Sequence, residues 1–165
     1  MSRYRPPKPK STPYITREGF EQLRQEEVNI WKHRAEVTQA LSAAAAEGDR
    51  SENAEYIYRK KQLAEIDRRI RYLQKRLPDL TVVDEVGNRD MVFFSAWVLL
   101  ENENGEEVEY RIVGPDEIDS DSSKGYISVD SPMARAMLKK TVDDEVVLDL
   151  GGTRHCYFIN RIRYE

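Results

Sequence analysis

Ala43-Ala44-Ala45-Ala46-Glu47-Gly48-Asp49-Arg50-Ser51, residues 43–51, stands between two runs of regular apolar spacing. Upstream, Phe20, Leu23, Glu27, Ile30, Arg34, Val37, Leu41 and Ala44 recur at alternating steps of three and four, with Glu27 and Arg34 as polar exceptions. Downstream, a second register runs through Tyr56, Arg59, Leu63, Ile66, Ile70, Leu73 and Leu77. Such seams allow two helices to pack at a shallow angle, knobs into holes. The heptad phase is lost across 43–51, and Gly48 suits the position just past a helix end, where a left-handed backbone carries no Cβ penalty. Two helices joined by so short a turn are antiparallel neighbours. Thr16 is placed to cap the first helix, and Pro78 ends the second. At about 1.5 Å rise per residue, the stretch from 16 to 47 predicts a hairpin reaching about 45 Å.

The turn is acidic. Asp49 and Glu52 lie three apart where the second helix begins, and Glu47 and Glu55 bring further carboxylates to the same apex. Two readings stand side by side. Asp-x-x-Glu is a capping-box spacing, with Asp49 as N-cap and Glu52 at N3, and both acids favour the positive end of the helix dipole. Clustered carboxylates also supply hard oxygen ligands for Mg²⁺, an incomplete set that a second metal-bearing surface would complete. The roles are compatible, because a cap uses one carboxylate oxygen and leaves the others.

Behind the acids the second helix turns basic. Residues 56–77 carry eight Lys or Arg against Glu65 and Asp67. Lys61, Arg68 and Lys75 share the outermost heptad position, Arg71 flanks them, and Arg59 and Lys60 lie nearer the turn. This stripe, about 21 Å long at helical rise, matches a phosphate backbone. Tyr56, Tyr58 and Tyr72 could stack on unpaired bases. A solvated helix face is the plainer alternative.

After Pro78 the pattern becomes one of short strands. Runs at 92–94, 96–100, 108–113, 126–129, 146–148 and 157–162 are β-type, and Asn104-Gly105 signals a two-residue hairpin turn. Ser131-Pro132 reads as an N-cap and N1 pair opening a helix to Lys139 or Lys140. The expectation is an antiparallel sheet with one packed helix, making the whole chain α+β. His155 beside Cys156 reads as a structural pair, and no nucleophile–base pair or phosphate loop stands out.

The 165 residues divide by charge in the same places. Residues 1–13 hold four basic residues and no acid, 14–78 are nearly balanced, and 79–165 carry 19 acids against nine bases. The predicted modules are a basic, Pro-rich, disordered arm at 1–13, a coiled-coil hairpin with an acidic tip at 14–78, and a sheet domain at 79–165. No apolar run nears the roughly 18 residues of a membrane span, and the basic N-terminus lacks the apolar segment of a secretory signal. A lone Cys156 and two dispersed histidines exclude an internal disulfide and a zinc site. A reduced, cytoplasmic setting is expected.

The turn 48–56, the run Glu65-Ile66-Asp67-Arg68-Arg69-Ile70-Arg71-Tyr72-Leu73, Arg111-Ile112-Val113-Gly114 and Ser128-Val129-Asp130-Ser131-Pro132-Met133-Ala134-Arg135-Ala136 are together highly specific. On them the chain, from about Tyr14 onward, resembles the bacterial Gre transcript-cleavage (transcription elongation) factor family, and its GreB branch in particular. The resemblance implies an FKBP-like C-terminal domain, a likeness that does not imply prolyl isomerase activity here. It implies a monomer whose coiled coil enters the secondary channel of a backtracked bacterial RNA polymerase and stimulates the polymerase's own Mg²⁺-dependent cleavage of RNA. Asp49 and Glu52 would then share the second Mg²⁺ in that complex, with Glu55 a weaker candidate. Arg59, Lys60, Lys61, Arg68, Arg71 and Lys75 would contact the extruded RNA 3′ end, and Asp130, Ser131, Pro132 and Met133 the rim of the channel. A regulator that occupies the same channel without cleavage is the alternative. The chain departs from the family pattern in its basic extension and in Ser95, where the family leads us to expect glycine.

Overall fold

The computed structural model describes residues 10–119 and 124–164, so the expected arm up to residue 9 lies outside the described residues. These form two compact units. One runs from Glu18 to Leu80; the other joins the described residues before Glu18 to those from Thr81 onward.

The first unit is the helical hairpin. Helix α1 spans Arg17–Ala45 and α2 spans Ala54–Arg76. Every residue of the two predicted seams is buried or half-buried, with Leu23, Val37, Ala44, Ile66, Ile70 and Leu73 the most enclosed. Val37, Ile66 and Ile70 pack together with Ile30 and Leu63. The polar exception Arg34 is explained across the seam, where its Nε donates 2.7 Å to Asp67 Oδ1. Nearer the open end, Arg69 grips both oxygens of Glu26 at 2.6 and 2.9 Å. Each pair is about a third or more exposed, so it adds at most about 1 kcal/mol. A buried Val or Ile contributes about 1.5–3 kcal/mol. The apolar seam holds the helices together, and the ion pairs fix their register.

The second unit begins earlier than the charge pattern suggests. Tyr14–Ile15 (β1) pairs in parallel with Thr81–Val82 (β2), and Ile15 is wholly buried. Tyr14 to Arg17, expected to open the hairpin domain, belong instead to the second unit, because the β1–β2 ladder and the buried Ile15 tie them there. The end of the expected arm is also tied down: Thr12 N donates 2.9 Å to Asp130 Oδ2, the Thr12 hydroxyl donates to the other oxygen, and Pro13 O accepts from Thr81 N at 2.8 Å. Thr16, read as a helix cap, donates from its N–H and hydroxyl to the Glu117 carboxylate. The same carboxylate accepts from Gly114 N at 2.7 Å. Gly114 has an ordinary φ of −71°, but a Cβ there would stand 2.0 Å from Tyr14 O. Close approach of backbone, not torsion, requires glycine at this position.

The main sheet comprises Trp97–Asn102 (β3), Glu107–Val113 (β4), Tyr126–Ser128 (β5), Glu145–Leu150 (β6) and Thr153–Arg163 (β7), in the order β5-β4-β3-β7-β6. Three pairings are antiparallel, but β4 and β5 run parallel, so the expected all-antiparallel sheet is in fact mixed. The turn after β3 is four residues long, not two: Asn102 Oδ1 accepts from the N–H groups of Asn104 and Glu106 at 2.9 Å each. The segment 92–94 is not a strand; Val92 and Phe94 nonetheless join the core with Val98, Leu100, Ile112, Val146 and Ile159. Helix α3 (Pro132–Met137) closes that core with Ala134 and Met137. Ser131 caps it as predicted, accepting from Ala134 N at 3.2 Å, and it stops at Met137 because Leu138 leaves the helical region with ψ 136°, followed by Lys139 at a left-handed φ of 68°. Ser95, the residue that departs from the family pattern, has φ 72°, which is why glycine suits that place.

Candidate functional site

The loop between α1 and α2 carries the candidate acids. Helix α1 loosens at its end, where Ala46 N is shared between the carbonyls of Ser42 and Ala43 and Glu47 N bonds Ala44 O at 3.2 Å. Gly48 follows with φ 138°, three residues past the helix rather than at its immediate end. Asp49 then folds over the next two residues: its Oδ1 accepts from Ser51 N at 3.0 Å and from the Ser51 hydroxyl at 2.8 Å. These bonds, the backbone one foremost, hold the Asp49 carboxyl below its ordinary pKa, so it stays ionised.

The expected capping box is not formed. Asn53, not Asp49, is the N-cap of α2, and its Oδ1 accepts from Tyr56 N at 3.1 Å. The reason lies in the loop: Asp49 turns its Oδ1 to Ser51, and the helix begins at Ala54, too late for Asp49 to reach. Glu52 is exposed and forms no side-chain hydrogen bond or ion pair among the described residues. Glu55 is different, since Arg59 Nε donates 2.8 Å to it. The loop thus presents Asp49 and Glu52 to solvent and ties Glu55 to its own helix.

Along α2, Lys60, Lys61, Arg68, Arg71 and Lys75 are exposed. Arg59 is half-buried and engaged by Glu55, Gln62 and the Tyr58 ring, which sets it apart from the others. Close to the loop, Arg50 and Lys60 both lie over the Tyr56 ring, 5.6 and 6.0 Å from its centre. Arg50 and Tyr56 thereby join the basic face. Helical spacing alone did not single out Arg50, which lies in the loop.

In the second unit, Asp130, Ser131, Pro132 and Met133 lead into and begin α3. The Asp130 carboxylate holds Thr12, a role that its place in the sequence did not suggest. Cys156 and His155 sit on β7 opposite Val147 and Leu148, and partial burial, aided by Glu145, pushes the Cys156 thiol up, away from nucleophile chemistry. Among the described residues no three His, Cys, Asp or Glu side chains converge to hold a metal ion, and no helix is long and apolar enough to cross a membrane.

Comparison with known proteins finds two family models in series along the chain. Residues 13–82 match the family model described as transcription elongation factor, N-terminal, and residues 87–164 match the one described as transcription elongation factor, GreA/GreB, C-term. The transcription elongation factor GreB of Xanthomonas axonopodis pv. citri is 56% identical, covering 99% of this chain and 98% of that protein. GreB of Vibrio vulnificus is 54% identical, covering 93% and 97%. Among solved structures, the GreA factor homolog 1 (Gfh1) protein of Thermus thermophilus aligns at 25% identity over 91% of this chain and 97% of that one, with a TM-score of 0.41. Two family models that together span nearly the whole sequence, and relatives more than half identical along their full length, place the chain in the GreA/GreB family of transcription elongation factors, on its GreB side.

Proposed function

We infer that this chain, acting as a monomer in the cytoplasm, stimulates a stalled bacterial RNA polymerase to cleave its own backtracked RNA and does not cut RNA by itself. The helical hairpin enters the secondary channel of the polymerase, and its loop approaches the active centre. One observation carries this reading. Asp49 and Glu52 are exposed carboxylates on the loop that joins the two helices, and a line of exposed cations follows them along α2.

The donor set fits a shared Mg²⁺. Both Ser51 bonds fall on Asp49 Oδ1, so Oδ2 and the two Glu52 oxygens are hard donors open to an ion. Two carboxylates are too few to hold Mg²⁺ alone, so Asp49 and Glu52 would share it with oxygen ligands of the polymerase complex. Bound there, Mg²⁺ neutralises developing charge and activates water. Asp49 and Glu52 hold and orient it, and the Ser51 bonds keep Asp49 ionised. Lys60, Lys61, Arg68, Arg71 and Lys75 bind the phosphates of the extruded RNA, while Arg59 supports them from its contact with Glu55. Asp130, Ser131, Pro132 and Met133 meet the channel rim.

The test is a purified backtracked elongation complex with and without this protein, resolved by RNA length. Shortened RNA is expected with the native chain, and none with Asp49→Asn combined with Glu52→Gln, although that variant still competes for the polymerase. Full cleavage by the double variant refutes the reading, and slowed elongation without shortened RNA identifies a channel-blocking regulator instead.

A further inference from the structure

We propose that Asn53 is a positioning residue for the loop acids: its carboxamide clips the end of α1 to the start of α2 and thereby holds Asp49 and Glu52 in place. The inference rests on the cleavage reading above. Asn53 is half-buried and uses both ends of its side chain. Its Oδ1 accepts from Tyr56 N at 3.1 Å, and its Nδ2 donates 2.7 Å to Ala44 O, nine residues earlier. Capping alone does not require this residue type, because Ser, Thr or Asp would accept from the helix N-terminus equally well. Only an amide carries an acceptor and a donor on one short, planar group, as both bonds demand.

The second bond is not needed to satisfy a stranded carbonyl either. Ala44 O already accepts from Glu47 N at 3.2 Å. What the Asn53 bond adds is closure. The loop residues 46–52, with Asp49 and Glu52 among them, start and finish at groups fixed to each other. A metal-binding constellation has to be held within about 0.5 Å to work, and a free loop with Gly48 at φ 138° would not hold it.

Asn53→Asp separates the two bonds, since it keeps the cap acceptor and removes the donor to Ala44 O. Asn53→Ala removes both. Three measurements on the full chain decide the matter. Backbone ¹⁵N order parameters at 48–52 are expected to fall from about 0.85 towards 0.6 in Asn53→Asp. Cleavage in backtracked complexes is expected to drop about tenfold at low Mg²⁺ and to recover as Mg²⁺ is raised, with competition for the polymerase unchanged. Unaltered order parameters overturn the proposal. So does a loss of cleavage that is equal at all Mg²⁺ concentrations and is shared by Asn53→Ala only through a lower melting temperature, because that is the behaviour of a helix cap. The Asp49→Asn/Glu52→Gln variant runs alongside. If it cleaves normally, the cleavage reading fails, and the order parameters still decide whether Asn53 holds the loop.

Discussion

Replacing Lys61, Arg68 and Lys75 together by glutamine should change the salt dependence of cleavage by a calculable amount. The three residues lie seven apart on α2, are exposed, and so form a line of cations spaced about 10 Å apart at helical rise. Arg68 Nε makes only a long 3.4 Å bond to Ala64 O, which a phosphate can displace. Each cation that neutralises a phosphate of single-stranded RNA contributes about 0.7 to the slope of log affinity against log salt. Three contacts give a slope of about 2, so the advantage of the native chain over the triple variant should shrink about 20-fold between about 50 and 200 mM salt. The assay is the cleavage rate in backtracked complexes at limiting protein, over a series of KCl concentrations. Taking the ratio of native to variant rates cancels the salt response of the polymerase itself. Arg59→Gln is the internal control. Because Arg59 is already paired with Glu55 and half-buried, its loss should change the slope by clearly less than one such contact. A native-to-variant ratio that does not vary with salt, or an Arg59→Gln effect as large as that of Lys61→Gln, would refute phosphate contact along this face.

The remaining predictions concern the loop acid and the sheet unit. Ser51→Ala removes the hydroxyl bond to Asp49 but keeps the backbone one, which lowers the pKa more, so the Asp49 pKa, followed by NMR titration, should rise partway towards its ordinary value. Since the folded-state pKa is the lower one, the stabilisation it gives is present above the ordinary aspartate pKa and is lost as pH falls through the folded value; in Ser51→Ala that stabilisation should be smaller and its loss complete at higher pH, and the acid limb of cleavage should shift to higher pH. An unmoved pKa would contradict this. Ser95→Gly should stabilise the protein in urea unfolding by about 0.5–1 kcal/mol, because relief of a left-handed φ of 72° outweighs the added freedom of the unfolded chain. A less stable variant would show that the Ser95 side chain has a role that its backbone does not reveal.

Much of the hairpin was legible in the sequence because the information is periodic and local. The three-four steps from Phe20 to Ala44 and from Tyr56 to Leu73 correspond residue for residue to the inner faces of α1 and α2. The same locality made Ser131-Pro132 readable as a helix start. The Lys61–Arg68–Lys75 line followed from the same period, since whatever does not face the seam faces water, and the acids were legible from their place at the break between the two registers.

Sequence alone determined which residues are apolar at helical spacing, where the helices break, and which charges stand at the break. Only the tertiary structure decided what depends on groups distant in the chain. Thr12 on Asp130, Thr16 on Glu117 and β1 on β2 draw the residues ahead of α1 into the sheet unit, and the parallel β4–β5 pair is set by a ladder that no local pattern encodes. In the loop, Asp49 and Asn53 were both chemically able to cap α2. The choice fell to Asn53 because the helix begins at Ala54, and its amide also reaches Ala44 O, a carbonyl brought beside it only when the two helices have packed.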